Sequence, residues 1–138
     1  MNRRKFLQQT AGVAGLALLP SILKSERKQD VIFGHNNKKY RLDTKWGALD
    51  FGRYPVKDCH EMVQDSKGRI ILLTNETKNN VIIYDKQGKL LTTWGSEYPG
   101  AHGLTLFNEN GQEVLFICDN SRHQVIKTTL DGRVLMTL

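Results

Sequence analysis

The chain has 138 residues, of which 39% are hydrophobic and 25% are charged, so its length and composition fit one folded domain. The formal net charge is +6, yet four of the basic residues and no acidic residue lie within residues 1–24, leaving 16 basic against 14 acidic residues elsewhere. So small an excess argues against nucleic acid as a partner.

The first predicted element is an export signal over residues 1–24. "MNRRKFLQQTAGVAGLALLP" has a cationic start, an apolar stretch from Ala11 to Leu19, and then Pro20. The stretch is far shorter than the roughly 18–20 apolar residues that span a bilayer. It matches the hydrophobic region of a signal peptide, which is about 7–15 residues long. An amphipathic first helix of the domain is the alternative.

The segment "NRRKFLQ" resembles a twin-arginine signal. Arg3 and Arg4 match the paired arginines of such a signal, and Phe6 and Leu7 match the apolar pair that follows them. The resemblance implies the twin-arginine translocase as a partner and a periplasmic or extracellular location. No small-x-small cleavage site follows Leu19, so an uncleaved signal that anchors the chain to the inner membrane is a further hypothesis. Membrane contact is expected only through this segment.

Residues 25–30 are polar and charged, and residues 25–38 are predicted to be a linker before the folded domain, which is assigned to residues 39–138. "KKYRLDTKWG" ends in Trp46 and Gly47, and "KLLTTWG" ends in the same pair of residue types 48 positions later. The stretch from Lys39 to Trp46 is therefore predicted to be the fourth strand of a structural repeat.

Residues 59–138 contain one sequence pattern twice. His60 aligns with His102 at an offset of 42, and from Ile70 against Val114 the offset is 44. Each copy has an apolar strand that starts at the histidine, followed by a glycine turn. A second strand, a polar turn, a third strand, a turn and a fourth strand then complete the copy.

The last three strands of each copy are rich in residues that favour β-structure. They are "IILLT", "VIIYD" and "KLLTTW" in the first copy, and "VLFIC", "VIKTT" and "RVLMTL" in the second. Four strands per repeat of this length are typical of a β-propeller blade. We therefore predict an all-β propeller fold with blades at about 59–95 and 101–138, and no helix after the signal.

Two blades and one extra strand cannot close a propeller ring, which takes about four to eight blades. The sequence is therefore expected to represent a fragment, or truncated form, of a propeller. Assembly of several chains into one ring is the alternative.

Both copies resemble NHL repeats, the units of a family of six-bladed β-propellers. The matching pieces are "QDSKGRIILLTN", "NNVIIYDKQGKLLTTWG", "NENGQEVLFICDNSRHQVIK" and "LDGRVL". Such propellers serve as scaffolds, binding proteins or enzymes. The first functional hypothesis is a scaffold that binds an unidentified ligand or protein at the propeller channel.

A second hypothesis follows from "AHGL" and "DNSRHQVIK", which resemble blades of peptidyl-hydroxyglycine amidating lyases, a family of zinc propellers. The resemblance implies zinc held by histidines at the starts of innermost strands, where His60 and His102 stand. The position of that family's catalytic tyrosine is occupied by Thr77 and Ser121, so no catalytic residue is assigned. The alternative is that both histidines line the channel and hydrogen-bond to water or backbone.

Four other side chains have predicted structural roles. Cys59 and Cys118 are expected to be buried thiols, with a disulfide as the alternative in an exported protein. Asp85 and Asp131 are expected to accept backbone hydrogen bonds in turns.

The remaining candidates lie near the repeat histidines in sequence. Glu61 could orient His60, but strand alternation points adjacent side chains to opposite faces, which argues against it. His35 and His123 are predicted to lie in turns, away from the histidine pair.

Overall fold

The computed structural model describes residues 31–138, so the export signal and the first part of the linker lie outside the described residues. Within this range the chain forms ten strands and no helix, and therefore has no helix long and apolar enough to cross a membrane. The strands form three antiparallel sheets, which confirms the all-β prediction.

The smallest sheet is a hairpin of β1 (Ile32–His35) and β2 (Lys38–Arg41). Its turn contains Asn36 at a positive φ of 52°, a conformation that asparagine tolerates better than most residues. The strand predicted from Lys39 to Trp46 therefore ends earlier and pairs with residues assigned to the linker. The chain turns immediately after it, over residues 44–47.

The other two sheets each follow the chain order of their four strands. The first sheet consists of β3 (Cys59–Gln64), β4 (Ile70–Thr74), β5 (Val81–Tyr84) and β6 (Leu90–Trp94). The second consists of β7 (Ala101–Glu109), β8 (Gln112–Asp119), β9 (Gln124–Thr129) and β10 (Val134–Thr137). The prediction of four strands in each copy is confirmed.

Side chains at equivalent positions stabilise the turn between the third and fourth strands of each sheet. The Asp85 carboxylate accepts a hydrogen bond from the Lys89 backbone N–H at 2.9 Å, as predicted. In the second sheet the Thr129 hydroxyl oxygen takes this role and accepts from the Arg133 N–H at 3.0 Å. The Asp131 carboxylate accepts from the Thr129 hydroxyl, a partner that the prediction did not name, and also from its own backbone N–H. The bond from Thr129 and then the backbone bond lower the pKa of Asp131.

In the second strand of each sheet, the strand pairing aligns the two copies one residue away from the alignment of their sequences. Cys59 pairs with Thr74 in the first sheet, and Ala101 pairs with Asp119 in the second. Thr74 thus corresponds to Asp119, whereas a sequence offset of 44 placed it against Cys118. The third and fourth strands keep the offset of 44 in their pairing. A shift of one residue reverses the face on which each side chain of the second strand lies.

The hydrophobic core lies between the first and second sheets. β7 contacts both β3 and β4, which places the two sheets face to face. The buried members of the core are Ile71, Leu73, Val81, Ile83, Tyr98, Ala101, Leu104, Leu115, Ile117 and Ile126. Burying one large aliphatic side chain contributes about 1.5–3 kcal/mol, so this contact is a principal source of stability.

Two tryptophans make matching contacts in the two copies. The Trp94 indole N–H donates to the Leu130 carbonyl at 3.0 Å, and the Trp46 indole N–H donates to the Lys86 carbonyl at 3.1 Å. Gly132 lies against the Trp94 ring at a φ of +93°, and a Cβ atom there would come within 2.7 Å of the ring. The repeated "WG" thus marks a repeated tryptophan contact, although Trp46 lies in a turn.

Candidate functional site

His60 and His102 occupy equivalent β-bulges in the first strand of their sheets. In β3 the pairing passes from Cys59 to Glu61 without His60, and in β7 it passes over His102 in the same way. A bulge redirects the side chain of the extra residue away from the normal alternation. Both histidines are consequently exposed.

The two imidazole rings lie directly against each other. Their centroids are 4.1 Å apart and their planes differ by 14°, so the rings are stacked. The nitrogen atoms of an imidazole donate or accept in the plane of the ring. Because the two planes are almost parallel, these directions do not converge on one atom. Two parallel imidazole nitrogens are better placed to bind two oxygens of one carboxylate or phosphate group than to bind a single ion.

Glu61 links the two sheets beside the histidine pair. Its Oε2 accepts a hydrogen bond from the Leu104 backbone N–H at 2.7 Å. Leu104 lies in the strand that carries His102, two residues further along. Glu61 therefore helps to hold β7 next to β3, and so acts on the pair through the backbone. The alternation of side chains along a strand does not predict where Glu61 lies, because the bulge at His60 interrupts the regular pairing of β3.

An open groove of about 550 Å³ continues from His102 across the second sheet. Its lining includes His102, Cys118, His123, Gln124, Val125 and Leu138. His123 lies in a turn, as predicted, and lines the same groove as His102. His123 occupies the turn between β8 and β9 at a positive φ of 54°, and β8 pairs with β7. His35 is exposed, but it is the last residue of β1 and pairs with Lys38, so the prediction that it lies in a turn was wrong.

Cys59 and Cys118 are free and exposed, so the expectation of buried thiols was wrong and the disulfide is not formed. Cys118 is exposed because the pairing of β8 is shifted by one residue from the alignment of the two copies. Its neighbours across the sheet are Gly103 and Val125, whereas the adjacent residue Ile117 faces the core. Cys118 is thereby turned to the outer face of the second sheet.

The histidine pair alone does not make a complete zinc site. Within residues 31–138, no three histidine, cysteine or acidic side chains lie close enough to hold one metal ion. Catalytic zinc is usually bound by three protein ligands and an open position. His60 and His102 offer two ligands, and their parallel rings would have to rotate to reach one ion.

The fold and the site were also compared with known proteins. Comparison with protein-family models, curated proteins and solved structures gives no match for this chain.

Proposed function

We propose that this chain is an exported NHL-type β-propeller module that acts as a ligand-binding or interaction scaffold. The observation that carries the proposal is the stacked pair of exposed histidines on equivalent bulges. Because the four-stranded unit occurs twice, it places two histidines side by side, whereas a single sheet would offer only one. The pair is then the contact site for a ligand at the propeller channel.

The favoured ligand carries a carboxylate or phosphate group. Each neutral imidazole has one N–H donor, and two parallel donors can bind two oxygens of the same group. Both rings are accessible, so a ligand can reach them without rearrangement of the core. The Glu61 carboxylate is already engaged with the Leu104 N–H and does not have to move.

The ligand site can be tested by NMR of the full chain, in which the side-chain signals of His35, His60, His102 and His123 are followed. The sample is titrated separately with sodium acetate, inorganic phosphate and zinc chloride. We expect acetate or phosphate to shift the signals of His60 and His102 together, with one shared affinity, while His35 does not move. In the His60→Ala variant the His102 response should fall at least about tenfold in affinity, because one of the two donors is lost.

His35→Ala is the matched control and should leave the affinity unchanged. Equal shifts at all four histidines, or none at the pair, would contradict the scaffold proposal for this site.

A metal-dependent lyase resembling the peptidyl-hydroxyglycine amidating lyases is the second candidate. The observation that favours it is the contact between the two imidazoles, because nearby histidines can share a metal ion. In the described residues the set lacks a third ligand. The zinc titration separates the candidates: stoichiometric zinc that shifts both histidine signals at concentrations where phosphate has no effect would favour the lyase.

Export can be tested with green fluorescent protein fused after the full chain in a bacterium that has the twin-arginine pathway. Because that pathway carries folded passengers, we expect a fluorescent periplasm. Replacement of Arg3 and Arg4 together by lysine should keep the charge and abolish periplasmic fluorescence. Lys5→Arg is the control that should export normally. Unchanged export of the Arg3→Lys, Arg4→Lys variant would remove the twin-arginine part of the proposal.

A further inference from the structure

The hairpin of β1 and β2 exposes its apolar side chains to solvent. Five apolar residues within the segment 31–42 are each more than half exposed, namely Val31, Ile32, Phe33, Tyr40 and Leu42. A sheet of two strands has no second layer in which to bury such side chains, and by itself it is only marginally stable in water. Adjacent exposed apolar side chains of this kind indicate a surface that binds a partner.

Strand pairing places four of these five residues on one face of the hairpin. Phe33 pairs with Tyr40, so their two rings lie on the same face. Because side chains alternate along a strand, Val31 and Leu42, each two residues from one of the rings, extend that face. We call these four residues the aromatic face. Tyrosine suits the boundary between an apolar layer and water, because its ring is apolar and its hydroxyl is polar.

The same hairpin is cationic. The segment 31–42 contains Lys38, Lys39 and Arg41 and no acidic residue, so its three basic residues give a formal charge of +3. Lys38 lies on the aromatic face beside the turn, whereas Lys39 pairs with Gly34 on the opposite face. Since the sheet is one layer thick, charges on both faces lie within about one Debye length, roughly 8–10 Å, of a surface on which the hairpin rests.

The sequence specifies this hairpin locally. Gly34 has a φ of +130°, and a Cβ atom there would overlap the carbonyl oxygen of Lys38 across the strands. Asn36 in the turn has a φ of 52°. Both conformations are unfavourable for most other residue types. The aromatic face is therefore presented by a backbone that the sequence encodes.

We propose that the hairpin binds the surface of an anionic lipid membrane, with the aromatic face at the boundary between headgroups and acyl chains. Apolar side chains inserted at this depth and basic side chains near anionic headgroups both strengthen binding to a membrane surface. An acidic polypeptide would attract the lysines but would not require the aromatic face. The membrane is favoured because it uses both properties of the hairpin.

The hairpin also lies close in sequence to the proposed export signal. Six residues separate the end of that signal at residue 24 from Val31. A chain of this length reaches at most about 25 Å when fully extended, so a signal held in the membrane keeps the hairpin near the membrane surface. This proximity rests on the proposed export signal, whereas the exposure and the charge of the hairpin do not depend on it.

The contribution of the charges is tested by co-sedimentation of the full chain with vesicles of phosphatidylcholine, with or without phosphatidylglycerol. Replacement of Lys38 and Lys39 together by glutamate should lower the partition coefficient on the anionic vesicles at least about tenfold. The matched control replaces Lys67 and Lys78 by glutamate, which changes the net charge equally at two exposed residues outside the hairpin. This control should bind within about threefold of the parent, because the attraction falls off within a Debye length.

The contribution of the aromatic face is tested by replacing Phe33 and Tyr40 together by threonine. Threonine favours strands and forms stabilising pairs across them, so the hairpin is retained while both rings are lost. We expect binding to both kinds of vesicle to fall at least about tenfold. Phe51→Thr is the control, because Phe51 is 65% exposed outside the hairpin, and it should bind like the parent.

All of these chains share one signal segment, so its own contact with lipid is the same in each comparison, and a failure of export would not change the outcome. The proposal would be overturned if the Lys38, Lys39 variant bound like the Lys67, Lys78 variant, or if loss of the two rings had no more effect than Phe51→Thr. Soluble polyglutamate provides a further control. Binding of polyglutamate that needs the lysines but not the rings, without binding to vesicles, would identify an acidic polypeptide as the partner and would also overturn the proposal.

Discussion

Replacement of Asn80 by alanine is expected to lower the free energy of unfolding by about 3 kcal/mol or more, since several buried groups lose their partners at once. Its carboxamide donates to the carbonyls of Thr74 and Tyr98 and accepts from the Tyr98 N–H. The side chain is 0% exposed, so water cannot replace these bonds without entering the core. The two hydrogen bonds to Tyr98 also hold the segment that connects the first sheet to the second, so this segment should become more mobile in the variant.

Urea unfolding followed by far-ultraviolet circular dichroism measures this effect. With a denaturant slope of about 1–3 kcal/mol per molar, the midpoint should fall by roughly 1–3 M. Asn120→Ala is the matched control, because Asn120 is exposed and its carboxamide oxygen accepts one hydrogen bond from the neighbouring Ser121 hydroxyl. Equal midpoints for the two variants would show that the Asn80 amide does not stabilise the contact between the sheets.

The second large effect is expected at Trp94, which packs against the core and donates its indole N–H to the Leu130 carbonyl. Trp94→Ala should cost about 3 kcal/mol, because it removes a large ring from the contact between the sheets and opens a cavity. Trp94→Phe keeps an aromatic ring and loses the indole hydrogen bond, so it should cost only about 1 kcal/mol.

Trp46→Ala is the internal comparison for Trp94→Ala. Trp46 makes the equivalent hydrogen bond to Lys86 and packs on Tyr84 with ring centroids 5.3 Å apart, but 37% of the residue is exposed. Its removal should cost clearly less, measured by the same unfolding experiment. A Trp46→Ala variant as destabilised as Trp94→Ala would mean that burial in the core is not what distinguishes the two tryptophans.

The equivalence of His60 and His102 was readable from the sequence, because a repeat places corresponding residues at corresponding positions of each sheet. The stacking of the rings was not readable, since it depends on a bulge in each strand. A bulge has no local signal here: "CHEM" and "AHGL" both read as ordinary strand starts.

For residues 59–138 the sequence by itself determined the number of strands and their division into two copies. Those features follow from β-forming runs separated by turn residues, which are local properties of the chain. The register of β8 was decided only by the tertiary structure, because a shift of one residue depends on loop length and on the partner strand. That shift exposes Cys118 and places Ile117 in the core.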